Sequence, residues 1–498
     1  MREPGSPVIG LEIHVQLSTS SKLFCSCSTD YIGAVPNTNV CPVCLGQPGS
    51  LPVVNGRVVE YAVRTALALG AQVGKATRFH RKNYFYPDLP KAYQISQYDL
   101  PLAEGGGLPI GEKEKERWIP ITRLHLEEDA GKLVHGASDG RLGGSAYSLV
   151  DYNRGGVPLM EIVSEPEITS PAEARDYASR LRQLVRYLGV SDGDMEKGSL
   201  RVDANISVTR EDGSLGTKVE VKNMNSLRAL ERALEYEIYR QSAMFKRGEA
   251  VSQETRHWDD SKGVTTGTRG KEEAHDYRYF PDPDLPPLVL PEGFVEKQRS
   301  LLPEMPWVVL ENFCRDWGLS QEDASVLTEL PELASYIRDC VAQGANAQRA
   351  ANWIRTEVLR VLNEKKIPIR SFPIPASELA ALLSKIEAGE LSTTLAKKAF
   401  DLMVSEDLQV EAAIRKIGAP SGKLSGEALR ALVLRVMKRE MSAVDEIREG
   451  KDAKGKKRGF LCGQVMREAR GQADPAEVAT MRGEILDNLS NLARKTGG

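Results

Sequence analysis

One short stretch constrains this chain more than any other: a strictly alternating strand followed closely by four cysteines. Gly10-Leu-Glu-Ile-His-Val-Gln-Leu17 alternates polar and apolar residues. Extended, it puts Glu12, His14 and Gln16 on one face, with same-face neighbours about 7 Å apart. Cys25-x-Cys27 and then Cys41-Pro-Val-Cys44 supply two close pairs of thiols. That set matches the tetrahedral demand of a structural zinc site. Its first pair is spaced C-x-C rather than C-x2-C.

At 498 residues the chain predicts two to four domains. An apolar fraction of 41% and a charged fraction of 27% are those of a soluble globular protein. No apolar run is long enough for a membrane span, and the first residues carry no apolar leader. Seven cysteines, four of them at metal-ligand spacing, fit a reducing cytoplasm better than a disulfide framework. The net charge of −3 excludes a broadly basic nucleic-acid coat, so such binding needs local patches.

All six histidines and four of the seven cysteines precede residue 285. That part reads as β-rich, with amphipathic helices at 171–189, between Pro171 and Gly189, and at 226–243. Pro281-Asp-Pro-Asp-Leu-Pro-Pro287 then ends a first domain, placed at 1–293. Helical periodicity follows at 321–343, 347–363, 377–388 and 393–404, a second domain at 294–405. A third, at 406–498, has helices at 407–417, 425–447, 459–470 and 475–493. The expected class is multidomain α+β: an antiparallel sheet domain followed by two all-α domains.

The opening strand has company. Arg123, His125 and Glu127 share a face if 121–129 is extended. Arg201-Val-Asp-Ala-Asn-Ile-Ser207 and Lys218-Val-Glu-Val-Lys222 alternate as well. An antiparallel sheet with one wet side explains any one of these. Together they bring carboxylates, imidazole and cations to one face, where a divalent metal or a phosphate relieves the repulsion. Arg81-to-Ser96 packs aromatics, cations and prolines together, and Asp151-to-Glu165 joins a Gly-Gly turn to buried-looking Glu161 and Glu165. No G-x4-G-K-[ST] loop, G-x-G-x-x-G turn or H-E-x-x-H helix is present.

These segments are familiar as a set. Val8-to-Leu17, Arg81-to-Asp88, Leu124-to-Lys132, Glu220-to-Ser226 and Asp276-to-Pro281 closely resemble the B subunits of the tRNA-dependent amidotransferases, the GatB/GatE family. Gly459-Phe-Leu-Cys-Gly-Gln-Val-Met466 resembles that family's YqeY-type tail. The resemblance implies a cradle domain followed by a helical domain and the tail. It implies a ligase subunit that uses ATP and Mg²⁺ to phosphorylate the side-chain carboxylate of Glu-tRNA(Gln) or Asp-tRNA(Asn). Ammonia from an amidase A subunit then displaces the phosphate, and a small C subunit completes the heterotrimer. By the same resemblance Glu12, His14, Glu128, Glu161 and Glu220 are the Mg²⁺ cluster, and Asp203 is a further carboxylate near the phosphates. Lys82 and Tyr84 fall at the nucleotide. Alternation alone favours Glu127 over Glu128, and a bulge at Asp129-Ala-Gly would reconcile the two.

Within 451–470 seven cations face Asp452 and Glu468. A charge run of this kind is usually a solvated face. Given the resemblance, Lys454, Lys456, Lys457, Arg458 and Arg467 are expected to contact tRNA.

Overall fold

The computed structural model describes residues 5–111, 116–136, 145–210, 212–270, 277–418, 424, 426–452, 455–469, 473 and 475–496. The chain divides into two compact units, 1–306 and 307–498.

The first unit is built on a ten-stranded sheet. Its main body comprises β1 (Pro7–Gln16), β2 (Arg117–Glu128), β3 (Pro158–Ser164), β4 (Leu200–Val208), β5 (Val219–Lys222), β6 (Glu254–Asp259) and β7 (Val264–Gly270), in the order β7-β6-β5-β4-β1-β3-β2. Short strands Ala103–Glu104 and Gln72–Val73 continue beyond β2, and Gly107–Ile110 pairs with the other end of β2. Neighbours are antiparallel except β5 and β6, which run parallel. Parallel neighbours need a crossover. Here it is α3 (Leu227–Lys246), whose N-cap Ser226 accepts from the Ala229 N–H.

The alternation expected of β1 holds. Leu11, Ile13 and Val15 are fully buried, as are Ala204 and Ile206 of β4 and Leu124 and Leu126 of β2. Covering helices meet them: α2 (Pro171–Tyr187) buries Tyr177, Leu181 and Leu184, and α3 buries Leu230 and Leu234. Each such aliphatic side chain contributes about 1.5–3 kcal/mol by leaving water. Ser170 caps α2, Pro171 occupies its first turn, and Gly189 follows its end at φ +64°.

Two helices of this unit escape the sequence reading. α1 (Gly56–Ala68) opens on Asn55, whose side chain accepts from the Arg57 N–H, and α4 (Phe294–Arg299) packs against it. A small sheet of His80–Asn83, Tyr93–Ser96 and Phe280–Pro281 stands beside the large one.

Every described element of the second unit is helical. Pro306–Trp317 is a helix the periodicity did not single out. The single helix expected at 321–343 is two, Gln321–Thr328 and Pro331–Ala342, because Pro331 starts a new first turn. That expected at 425–447 breaks around Glu440 into Gly426–Arg439 and Met441–Arg448. The stretch 347–365 is continuous but loosens to a π turn at Ile354–Val358. Toward the C-terminus, Leu429, Val433, Val436, Val444, Leu461, Val465 and Val478 form a separate hydrophobic cluster. Among the described residues no helix is long and apolar enough to cross a membrane.

Candidate active site and metal centre

Strand register places the polar side chains. Glu161 of β3 lies opposite His125 of β2 on one side and His14 of β1 on the other, and His14 lies opposite Arg201 of β4. One row therefore reads His125–Glu161–His14–Arg201. In the neighbouring row Glu12 faces Asp203, and further on Asn205 faces Glu220 and Glu220 faces Thr255. Directly opposed side chains on one face stand close enough to interact.

Two clusters result. In the first, Nε2 of His14 is 3.3 Å from Glu161 and 3.7 Å from Glu127, and Nε2 of His125 is 3.3 Å from Glu161. Ligand atoms of His14, Glu127 and Glu161 all lie within 4.8 Å of one another. Burial disfavours a charged His14, but Glu161, Glu127 and Asp203 outweigh it and raise its pKa to about 9. Burial likewise disfavours ionised Glu161, yet His125 and His14 hold it well below the usual carboxylate range. Nδ1 of His125 is buried without a hydrogen-bond partner.

The second cluster gathers on Lys222. Its Nζ is 2.6 Å from Asp203 and 3.4 Å from Glu220, while Asn205 donates to Glu12 at 2.7 Å and Thr255 to Glu220 at 2.8 Å. Burial opposes the charge on Lys222, and Asp203, Glu220 and Glu12 raise its pKa regardless. Glu12, Asp203 and Glu220 thus share the face with His14 and Glu161 but surround a lysine of their own.

Lys82 sits among aromatics, its Nζ 4.9 Å from the Tyr277 ring and 5.9 Å from that of Tyr84. Tyr279 stacks on Tyr98 at 4.4 Å. Burial first, then the charge of Glu127, pushes the Tyr84 and Tyr279 hydroxyls up. Tyr98, Tyr277 and Tyr279 were missed as lining residues. The Tyr277-Arg-Tyr279 run and its cation-rich counterpart at 81–84 were the available signals.

Glu128 requires a correction. The β2–β3 ladder pairs without interruption from Ile162↔Leu124 to Pro158↔Glu128, and its irregularity lies at Val163/Ser164. No bulge brings Glu128 round to the wet face. It lies on the side of Leu124 and Leu126, where it pairs with Lys91 and accepts the Ile95 N–H at 2.9 Å. Glu127 takes the place expected of Glu128 beside His14. The two carboxylates should therefore fail differently. Glu128→Gln leaves the buried Lys91 ammonium unpaired and is expected to lower stability by about 3–5 kcal/mol. Glu127→Gln should change the denaturation midpoint little while stopping activity. Paired denaturant titrations and amidation assays check this, and inactive but fully stable Glu128→Gln protein would reverse the assignment. Glu165 is also less buried than its sequence suggests, and Thr122 donates to it at 2.8 Å.

The four cysteines converge. Sγ atoms of Cys25, Cys27, Cys41 and Cys44 all lie within 4.8 Å of one another. A tetrahedron at about 2.3 Å Zn–S needs roughly 3.8 Å between sulfurs, so little movement is required. The Cys41 N–H points at Cys44 Sγ at 3.1 Å. Lys22, fully buried, directs its Nζ to the Asn39 carbonyl at 2.8 Å, the Tyr152 carbonyl at 3.4 Å and Cys44 Sγ at 3.7 Å. The hydrogen bond from Cys25, together with the Cys41 N–H and Lys22, outweighs burial and pulls the Cys44 thiol down to about 4.

In the second unit, Lys456, Lys457 and Arg458 open helix Lys456–Glu468. Asp452 accepts the N–H groups of Lys457 and Arg458, both at 3.0 Å, and so caps the helix. Lys457 is paired to Glu446 at 3.0 Å, and Arg467 donates to Gln464 at 2.8 Å. Lys456, Arg458 and Arg467 are exposed. Lys454 lies outside the described residues.

Comparison with known proteins defines the class first. Residues 7–296 match the GatB/GatE catalytic domain and residues 335–486 the GatB domain. The B subunits of several aspartyl/glutamyl-tRNA(Asn/Gln) amidotransferases are similar over nearly the whole chain. That of Carboxydothermus hydrogenoformans is 49% identical, covering 97% of this chain and 99% of its own. That of Moorella thermoacetica is 50% identical over 96% and 99%, and that of Thermotoga maritima 50% over 94% and 96%. The chain belongs to this family of amidotransferase B subunits.

Proposed function

We propose that this chain is the carboxylate-activating subunit of a glutamyl/aspartyl-tRNA amidotransferase. The side-chain carboxylate of Glu-tRNA(Gln) or Asp-tRNA(Asn) attacks the γ-phosphate of ATP, giving an acyl phosphate and ADP. Ammonia then attacks the acyl carbon. The C–O bond to phosphate breaks, inorganic phosphate leaves, nitrogen loses a proton, and Gln-tRNA or Asn-tRNA results. A carboxylate is a poor electrophile, and the phosphate makes its oxygen a leaving group.

The observation that carries this reading is the His125–Glu161–His14 row with Glu127 beside it, in a chain of this family. Two carboxylates and an imidazole within one coordination radius fit a divalent ion with open positions. Mg²⁺ held there by His14, Glu127 and Glu161 would neutralise charge on the phosphates. His125 orients Glu161, and Lys222 orders Glu12, Asp203 and Glu220. Lys82 and Tyr84 are the residues we assign to the nucleotide. Cys25, Cys27, Cys41 and Cys44 would hold a structural zinc. Domains at 1–293, 294–405 and 406–498 would serve as cradle, connector and tRNA-binding tail of a cytoplasmic translation enzyme.

The test uses the complex reconstituted with amidase A and small C subunits. Amide formation on either misacylated tRNA should consume ATP in a fixed ratio, and amidation without ATP would sink the reading. This chain alone should release no ammonia from glutamine. It shows no Gly/Ser-rich amidase region with a paired lysine and no cysteine glutaminase motif.

The exposed Lys456, Arg458 and Arg467 support a tRNA-contacting role for the tail. Removal of the residues after 405 is expected to weaken tRNA binding and flatten its salt dependence, since fewer phosphates are neutralised. Filter binding across a salt series measures both. An unchanged slope would return these cations to the solvent.

A further inference from the structure

The wet face poses a problem of charge. Glu12, Glu127, Glu161, Asp203 and Glu220 already line it, and the proposed substrate brings another carboxylate. A fixed cation is needed to receive it. Lys222 closes on Asp203 and Glu220, Lys82 lies between the rings of Tyr84 and Tyr277, and Arg123 lies 3.9 Å from Glu161.

Arg201 is placed differently. Its NH2 donates to Asp129 at 3.0 Å, its Nε is buried without a partner, and its side chain stays 38% exposed. Asp129 is itself buried and shared. Gln16 donates to it at 2.7 Å, and Nε of Arg154 stands 3.8 Å away. Among the described residues the Arg154 guanidinium otherwise donates to the carbonyls of Ala130 and Gly131, at 2.9 and 2.6 Å. Arg201 feels the charge of Asp129 most strongly, then those of Asp203 and Glu127. Arg201 is thus braced from behind by Asp129 with most of its planar donor fork unoccupied, the form of cation suited to an oxyanion. Cross-strand register sets it directly opposite His14.

We infer that Arg201 receives the substrate's side-chain carboxylate and holds it beside His14 for phosphoryl transfer. The inference rests on the function proposed above and adds a substrate-binding residue to it. The competing account is that Arg201 only neutralises buried Asp129.

The test is Arg201→Met, Arg201→Lys and the double variant Asp129→Asn/Arg201→Met in the reconstituted complex, assayed on Asp-tRNA and Glu-tRNA with ATP and ammonia. Arg201→Met is expected to lower kcat by roughly 100-fold, as loss of a transition-state donor does. KM should stay within about 3-fold, because the tRNA backbone dominates affinity. Arg201→Lys should recover less than about a tenth of the lost rate, since an ammonium lacks the fork. The double variant removes both charges and should stay as slow as Arg201→Met. If it recovers, or if Arg201→Lys is fully active, Arg201 is only a partner for Asp129 and the inference falls alone. If the wild-type complex amidates neither tRNA, the proposed function falls and the inference with it.

Discussion

Glu161→Gln is expected to reduce amidation by at least about 10³-fold with either glutamine or free ammonia as nitrogen source. Uncharged tRNA should bind within about 2-fold of wild type. The size of the effect follows from position: Glu161 lies between His14 and His125, 3.3 Å from each, and both hold it ionised. The amide nitrogen keeps the shape and loses the charge. Ammonia separates two failures. A defect confined to glutamine hydrolysis or ammonia delivery would be rescued by added ammonium, whereas loss of carboxylate activation would not. The rival class, a tRNA-docking scaffold whose chemistry lies elsewhere, predicts near-wild-type rates for Glu161→Gln in a folded complex. Steady-state amidation beside filter binding decides between them.

Cys44→Ser is expected to abolish metal retention. Protein purified without chelator should carry about one zinc ion per chain, and the variant close to none. Cys44 anchors the site: Cys25, the Cys41 N–H and buried Lys22 all point to it. Metal-ligand free energies in small zinc modules are on the order of 10 kcal/mol, so losing the ion should release the segment from 25 to 50. Unit 1–306 has a large core elsewhere and should stay folded. Hydrogen exchange read peptide by peptide tests this. Protection should collapse around the cysteines, fade in α1, whose Asn55 donates to the Ser21 and Lys22 carbonyls, and persist in the helices after 307. Zinc-free wild-type protein with unchanged protection would remove the site from the account.

Much of the site was legible because period two is a strong signal where one face is wet. Glu12, His14, Arg123, His125, Glu127, Arg201, Asp203 and Glu220 all fall on the face that alternation assigns them. The misplacement of Glu128 arose when family resemblance overrode that rule, and the uninterrupted β2–β3 ladder shows why the rule held. The aromatic wall was not legible. Tyr277, with Tyr279 against it, reaches Lys82 from almost two hundred residues away, and no local pattern encodes that meeting. α1 was hidden by its valines, which read as well for a strand as for a helix until burial decides. The helix break at Pro331 was within reach, since proline favours a first turn over an interior. The parallel β5–β6 junction has no local signature, although the long α3 between those strands permits it.

Glu127 and Glu128 stand back to back, one facing the histidines and the other Lys91. A one-residue slip of β2 that brought Glu128 to the place of Glu127 would move Asp129 to that of Glu128 and drive Glu127 into the buried place of Leu126. Burying that carboxylate without a partner opposes the slip. The guard stands at its end, where Asp129 is clasped by Gln16 of β1 and Arg201 of β4. A slipped strand would pull Asp129 out of that clasp and leave the Arg201 guanidinium without its carboxylate. The same aspartate that braces Arg201 thus also checks the assembly of the sheet, so the polar face forms only when three strands agree on where they end.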